Sequence, residues 1–252
     1  MPRRCPLRLR RRRDLTSHAF ANAPDSDMTG LNDLLKSMLP PDVAFAAGAI
    51  ADGGVDLFDV ERSAVSGAVA KRQREFGAGR VYARAALAAL ACPPQAIPAA
   101  TDRRPIWPRG FVGSISHCDH LCAAIVGRSA AYLGLGIDID DDTPLEDGLR
   151  DIICRPDEWR MVAETGLSAD GAKLLFVVKE AVFKAYYPAT SAFLDFHEVS
   201  VELDERNRSF KATLVAAEKP RLADSRCFQG RVGRVQGHLI AVVAVARQAP
   251  AP

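Results

Sequence analysis

The ten residues 133–142, LGLGIDIDDD, limit the fold more tightly than any other stretch of the chain. Leu133, Leu135, Ile137 and Ile139 recur with the two-residue period of a strand that keeps one face in a core. The same period sends Asp138 and Asp140 to the opposite face, roughly 6–7 Å apart along the strand. Neighbouring carboxylates repel, so they call for a cation between them, a shared proton or full solvation. Oxygen-only ligands favour Mg²⁺ or Mn²⁺ over zinc, and Mg²⁺ is commonly held by one or two carboxylates together with substrate phosphates. The plain alternative is a solubilising acidic turn, because Asp141 and Asp142 continue the run.

A second informative segment, LLFVVKEAVFKAYYP at 174–188, has apolar Leu174, Leu175, Val178, Val182 and Phe183 at helical spacing. It predicts a helix over Ala172–Tyr187 ended by Pro188. Glu180 and Lys184 lie four apart and share a face, which is either a simple ion pair worth a few tenths of a kcal/mol or something more. In the functional alternative Glu180 is a third carboxylate for the metal, and Lys179 and Lys184 contact phosphate as point charges.

Elsewhere, Leu31–Met38 reads as a short helix and VAFAAGAIADGG (43–54) as a strand and turn. Glu61–Ala91 reads as one long helix, with Gly77 and Gly79 marking a kink. FVGSIS, LCAAIVG and AAYLGLGIDID suggest an antiparallel meander, 144–164 two short helices, and the last quarter four strands. These patterns describe an α+β chain with a helix followed by short strands in each half.

With 252 residues, 48% hydrophobic and 25% charged, the chain can bury one large core or two small ones. The 33 basic and 31 acidic side chains give a net charge of +2, but seven arginines crowd the first 13 residues and the remainder is mildly acidic. The basic run reads as a solvated, disordered extension over residues 1–30, not as a nucleic-acid-binding arm. Its abrupt change of character makes Met28 a candidate start. The polar LTSHAFANAPDSD after it does not suit a secretory signal, and no run of about 18 apolar residues suggests a membrane span. Six scattered cysteines read as reduced thiols, mostly core residues, consistent with a cytoplasmic setting.

GSISHCDHLC (113–122) concentrates His117, Cys118, His120 and Cys122 in six residues. A zinc site needs four convergent ligands, and these side chains alternate faces on a strand–turn–strand. A cysteine nucleophile would need an activating base and an orienting third group. Cys118, His120 and Cys122 are therefore read as turn and core residues.

In order along the chain, KRQREFGAGRVYARAAL, DRRPIWPRG, GSISHC, LGIDID and FVVKEAVFKAYYP together resemble the 4′-phosphopantetheinyl transferases, in particular the bacterial enterobactin-synthesis-type subgroup. The resemblance covers residues 61–197. It implies a pseudo-twofold pair of α+β subdomains, each a small antiparallel sheet packed with a long helix, divided as 31–127 and 128–252. It also implies an enzyme that moves the 4′-phosphopantetheine group of coenzyme A onto a serine of an apo acyl or peptidyl carrier protein. That reaction is Mg²⁺-dependent (Mn²⁺ being possible) and releases adenosine 3′,5′-bisphosphate.

By the same resemblance, Asp138, Asp140 and Glu180 match the family's metal ligands, and Glu180 and Lys184 its catalytic pair. Arg72, Arg80, Arg103, Ser116, His117 and Lys184 match its coenzyme A contacts, with Arg104 able to replace Arg103. Asp140 departs from the family's usual glutamate: it keeps the charge and loses one methylene of reach, which suits contact with the ion through water. The expected protein is a monomer serving siderophore, polyketide or fatty-acid carriers. The competing readings are a non-catalytic coenzyme A-binding module and a Mg²⁺-dependent nucleotide phosphohydrolase. For the latter, the chain has no GxxxxGK[ST] loop.

Overall fold

A computed structural model of the chain describes residues 25–52, 56–162, 170–204, 206–222 and 225–247. In chain order its elements are α1 (Asp25–Met38), β1 (Ala44–Ala49), α2 (Asp59–Ser63), α3 (Ala70–Ala89), β2 (Phe111–His117), β3 (Leu121–Arg128) and β4 (Tyr132–Asp141). There follow α4 (Arg150–Ile153), α5 (Pro156–Val162), α6 (Gly171–Thr190), a 3₁₀ turn (Phe196–Glu198), β5 (Val199–Asp204), β6 (Ser209–Leu214), β7 (Cys227–Val235) and β8 (His238–Ala246).

The strands form two antiparallel sheets, one in the order β1-β3-β2 and one in the order β4-β8-β7-β6-β5. The long helix α3 packs on the first sheet and α6 on the second, the α+β arrangement expected from the patterns. The β2–β3–β4 meander fails at its third member. Strand β3 already has β1 and β2 on its two edges, so β4 finds its ladder on β8.

On its other edge β4 meets β2 through serine hydroxyls instead of a backbone ladder. Ser114 Oγ accepts the Ile137 N–H at 3.2 Å and Ser116 Oγ accepts the Ile139 N–H at 3.1 Å. These bonds satisfy amides that would otherwise be buried unpaired at a sheet edge.

One apolar cluster bridges the sheets, combining Leu31 and Leu35 of α1, Ile125 of β3, Ile137 and Ile139 of β4, and Ile240 and Val242 of β8. A second packs α6 against the larger sheet through residues such as Leu174, Val178, Tyr186, Val201 and Phe228. Each such side chain contributes about 1.5–3 kcal/mol by leaving water.

Four local expectations need correction. Helix α1 begins at Asp25, inside the stretch read as a disordered extension, while residues 1–24 and the Gly53-Gly54 turn lie outside the described residues. The single helix over Glu61–Ala91 is two, because Ser63 and Ser66 donate to the Asp59 and Ser63 carbonyls and Gly67 adds its low helix propensity. The kink at Gly77 and Gly79 is not there: α3 runs through both, and Gly79 lets Ile115 of β2 approach. Finally, α6 continues past Pro188 to a left-handed cap at Ser191, since a missing N–H in the last turn costs one bond at most.

Candidate active site

The site forms where α6 lies on β4, and two glycines make that contact possible. A Cβ on Gly134 would stand 2.2 Å from the Ala185 carbonyl oxygen, and one on Gly136 would stand 1.9 Å from that of Ala181. With no side chain there, the helix backbone rests on the strand backbone. Gly134, Gly136, Asp138 and Asp140 share one strand face, so the glycine seam continues into the two carboxylates. The helix start is anchored by Asp170, which caps Ala172 N–H at 2.9 Å and accepts Leu145 N–H at 2.9 Å.

Asp138 is 6% exposed. Its Oδ1 accepts from Lys184 Nζ at 2.6 Å and from the Ser116 hydroxyl at 2.8 Å, and Lys184 also reaches Ser116 Oγ at 2.9 Å. Burial pushes the Asp138 carboxyl upward, while Lys184 and the Ser116 hydrogen bond draw it back. Asp140 is ion-paired with Lys173, and its Oδ1 accepts the Asp141 N–H at 2.8 Å. Lys184 therefore pairs with Asp138 and not with Glu180, so the simple intrahelical ion pair does not form among the described residues.

Glu180 is half-buried between these groups and makes no hydrogen bond to a described residue. Burial first, then the charge of Asp138, push its carboxyl up to about 7, with Lys184 opposing. Glu180 thus feels the charges of Asp138 and Asp140 across the α6–β4 contact, with two lysines among the three acids. The ligand atoms of these three carboxylates are not all within 4.8 Å of one another, so holding a hard divalent ion between them would need side-chain movement.

Beside Ser116, the next residue of β2 and the facing α3 bring basic side chains together. Arg72 Nη1 stands 3.3 Å from His117 Nε2, and Glu75 lies within 3.7 Å of Arg72 and 3.9 Å of His117. Arg80 is 5% exposed, stacks 3.9 Å from the Phe76 ring centroid and donates Nε–H to the Ile97 carbonyl at 2.8 Å. Its Nη2 is buried without a hydrogen-bond partner among the described residues, and burial lowers its pKa to about 10. An orphaned buried guanidinium nitrogen suits an anion.

Arg103 is exposed, at a left-handed φ of 73°, and no described residue engages its guanidinium. Arg104 is already tied to α6, donating to the Pro188 carbonyl at 3.1 Å and pairing with Asp102 at 3.2 Å. Ser116 is buried with its hydroxyl committed to Asp138, Lys184 and Ile139.

Lys179, the other lysine weighed as a phosphate contact, points away from Asp138 and Asp140. It is 2% exposed, donating to Glu158 at 2.7 Å and to the Ile153 and Phe196 carbonyls at 2.9 Å, because its place on α6 faces α5 and not β4. Lys173 was missed by sequence reasoning, though it stands two helical turns before Glu180 and so on the same face. Of the cysteines among the described residues, Cys92, Cys118, Cys122 and Cys154 are buried and Cys227 is exposed.

Residues 60–127 match the 4′-phosphopantetheinyl transferase N-terminal domain, and residues 134–243 match the 4′-phosphopantetheinyl transferase superfamily. The 4′-phosphopantetheinyl transferase Svp of Streptomyces mobaraensis is 36% identical over 242 residues, 93% of this chain and 87% of the relative. The 4′-phosphopantetheinyl transferase Npt of Nocardia iowensis is 35% identical over 173 residues, 68% of this chain and 77% of the relative. Enterobactin synthase component D of Escherichia coli strain K12 is 37% identical over 135 residues, 52% of this chain and 63% of the relative.

Proposed function

The chain belongs to the 4′-phosphopantetheinyl transferase family, and from that membership we propose how its residues carry out the transfer of phosphopantetheine to a carrier protein. The donor in this reading is coenzyme A and the acceptor is a serine of an apo acyl or peptidyl carrier protein. The serine oxygen bonds to the β-phosphorus of coenzyme A, and the bond from that phosphorus to the bridging oxygen breaks. Adenosine 3′,5′-bisphosphate leaves with that oxygen, and the serine proton passes to Glu180.

Asp138, Glu180 and Asp140 would hold Mg²⁺, or Mn²⁺ in its place. The fit rests on an all-oxygen donor set in which burial and neighbouring acids disfavour ionisation of Asp138 and Glu180 in the absence of a cation. When bound, the ion supplies charge neutralisation at the diphosphate. The ion pair with Lys173 favours contact of Asp140 through water.

Glu180 carries the reading. Its carboxylate makes no side-chain hydrogen bond to a described residue and stands among the proposed ion ligands, which leaves it available to take the serine proton. Lys184 turns from Asp138 to the diphosphate, adding positive charge where negative charge gathers. Arg72, His117, Arg80 and Arg103 bind the nucleotide end and so hold the reacting phosphorus in place. For Ser116 we favour a positioning role, holding Asp138 and Lys184, over direct phosphate contact.

The test is intact-mass measurement of apo carrier protein incubated with coenzyme A and Mg²⁺. Wild type adds one phosphopantetheine mass. Glu180→Gln loses about 10²–10⁴-fold in rate with its fold intact by circular dichroism. Undiminished transfer by that variant would exclude Glu180 as the base. Coenzyme A binding without any mass gain in wild type would make the chain a binding module instead.

A further inference from the structure

Beyond the acidic centre, three ligand-type side chains that the transfer reaction leaves unused meet at the end of β4. These are Cys118, Asp141 and His238, and one ligand atom from each lies within 4.8 Å of the others. They come from separate parts of the fold: Cys118 from the β2–β3 turn, Asp141 from the last position of β4, and His238 from the first position of β8. Asp141 and His238 are cross-strand partners, with His238 Nε2 3.5 Å from Asp141 Oδ1. Cys118 is 5% exposed, so this is not a surface acidic patch.

A further observation points to a ligand. His238 Nδ1 is buried and makes no hydrogen bond among the described residues. At Cys118, burial and the charges of Asp141 and Asp140 push the thiol pKa up, opposed by the nearby backbone of His120 and Leu121. A bound cation would reverse that balance, turning the same carboxylate from a repelling neighbour into a co-ligand.

We propose that Cys118, Asp141 and His238 form a three-ligand site for a borderline divalent metal of the Zn²⁺ class, separate from the all-oxygen centre of Asp138, Asp140 and Glu180. Sulfur, nitrogen and oxygen donors together select this class, and three protein ligands leave the fourth position to water or a further ligand. Metal–ligand bonds of about 2.0–2.3 Å set ligand atoms roughly 3.3–3.8 Å apart, so binding needs only side-chain adjustment from the observed arrangement. The Cys118 proton goes to solvent as the Zn–S bond forms. The ion would clasp the β2–β3 hairpin, which carries Ser116 and His117, onto β4, which carries Asp138 and Asp140. The assignment stands apart from the transferase reading, since it concerns binding and not transfer.

Co²⁺ titration of the metal-stripped full chain, in excess Mg²⁺ to fill the oxygen site, tests it. Wild type should show one equivalent of Co²⁺ with a thiolate-to-cobalt charge-transfer band that Zn²⁺ abolishes. Cys118→Ala should lose the band, His238→Gln should weaken binding at least about 10-fold, and Cys227→Ala should change nothing. A band that persists in Cys118→Ala, or no thiolate band in wild type, would overturn the site. Should Cys118→Ala fail to fold, the His238→Gln titration decides alone: unchanged affinity there refutes the assignment.

Discussion

At the scale of single residues, the acidic centre pairs two of its three carboxylates with lysines. Glu180 has its carboxyl pushed up to about 7 from an ordinary 4.5. A carboxyl raised in the folded state stabilises the fold fully below pH 4.5, and that contribution is lost as pH rises through 7. Glu180→Gln should therefore match wild type near pH 5 and exceed it in stability at pH 8, both in EDTA. Urea denaturation at the two pH values reads the difference, and saturating Mg²⁺ should narrow it.

Lys173 makes the complementary case. It is 8% exposed and paired with Asp140. Lys173→Met removes the lysine partner of a largely buried carboxylate and should lower stability in EDTA by about 1–3 kcal/mol. Mg²⁺ should recover part of that loss, seen as a larger Mg²⁺-induced rise in Tm than wild type shows. Equal rises in the two proteins would mean that Asp140 does not feel the ion.

Among elements, the α6–β4 contact decides whether the site exists. Gly136→Ala places a methyl against the Ala181 carbonyl, where backbone cannot yield cheaply. The helix must lift, separating Glu180 and Lys184 from Asp138. We expect a loss of about 1–3 kcal/mol or more in denaturant midpoint and transfer activity reduced beyond what the unfolded fraction explains. Gly67→Ala is the contrast: nothing lies within 4 Å of its Cβ and its φ is not left-handed. It should be neutral or stabilise by about 0.4–1 kcal/mol.

The helical and strand periods made both partners of this contact legible, down to the acid pair and the Glu180–Lys184 spacing. Their mutual approach was not, because two glycines in a strand do not announce which helix will cover them. The split of the predicted Glu61–Ala91 helix was hidden for a related reason: serine side chains competing for backbone carbonyls leave the apolar spacing unchanged.

For the whole molecule, the question is what joins the two sheets. Apolar packing from α1, β4 and β8 supplies area, and the Ser114 and Ser116 hydroxyls supply direction. Ser114 is 4% exposed. Ser114→Ala leaves the Ile137 amide buried without an acceptor, at about 1–3 kcal/mol. Hydrogen exchange at Ile137 should accelerate more than exchange in β6, which lies far from the seam. A uniform acceleration would indicate global loosening instead.

Alternation along 133–142 and the apolar stripe of 174–188 are local properties, and local sterics and solvation were enough to read α+β architecture from them, whereas the candidate site residues came from the resemblance carried by the order of the motifs. Which charges meet is different. That Lys184 reaches Asp138, Lys173 reaches Asp140 and Lys179 turns away to Glu158 depends on how α6 rolls against its neighbours. So does the meeting of Cys118 with Asp141 and His238, drawn from three strand ends. Contacts between residues far apart in the chain are set by packing of whole elements, and no period along the sequence encodes the angle at which one element settles on another.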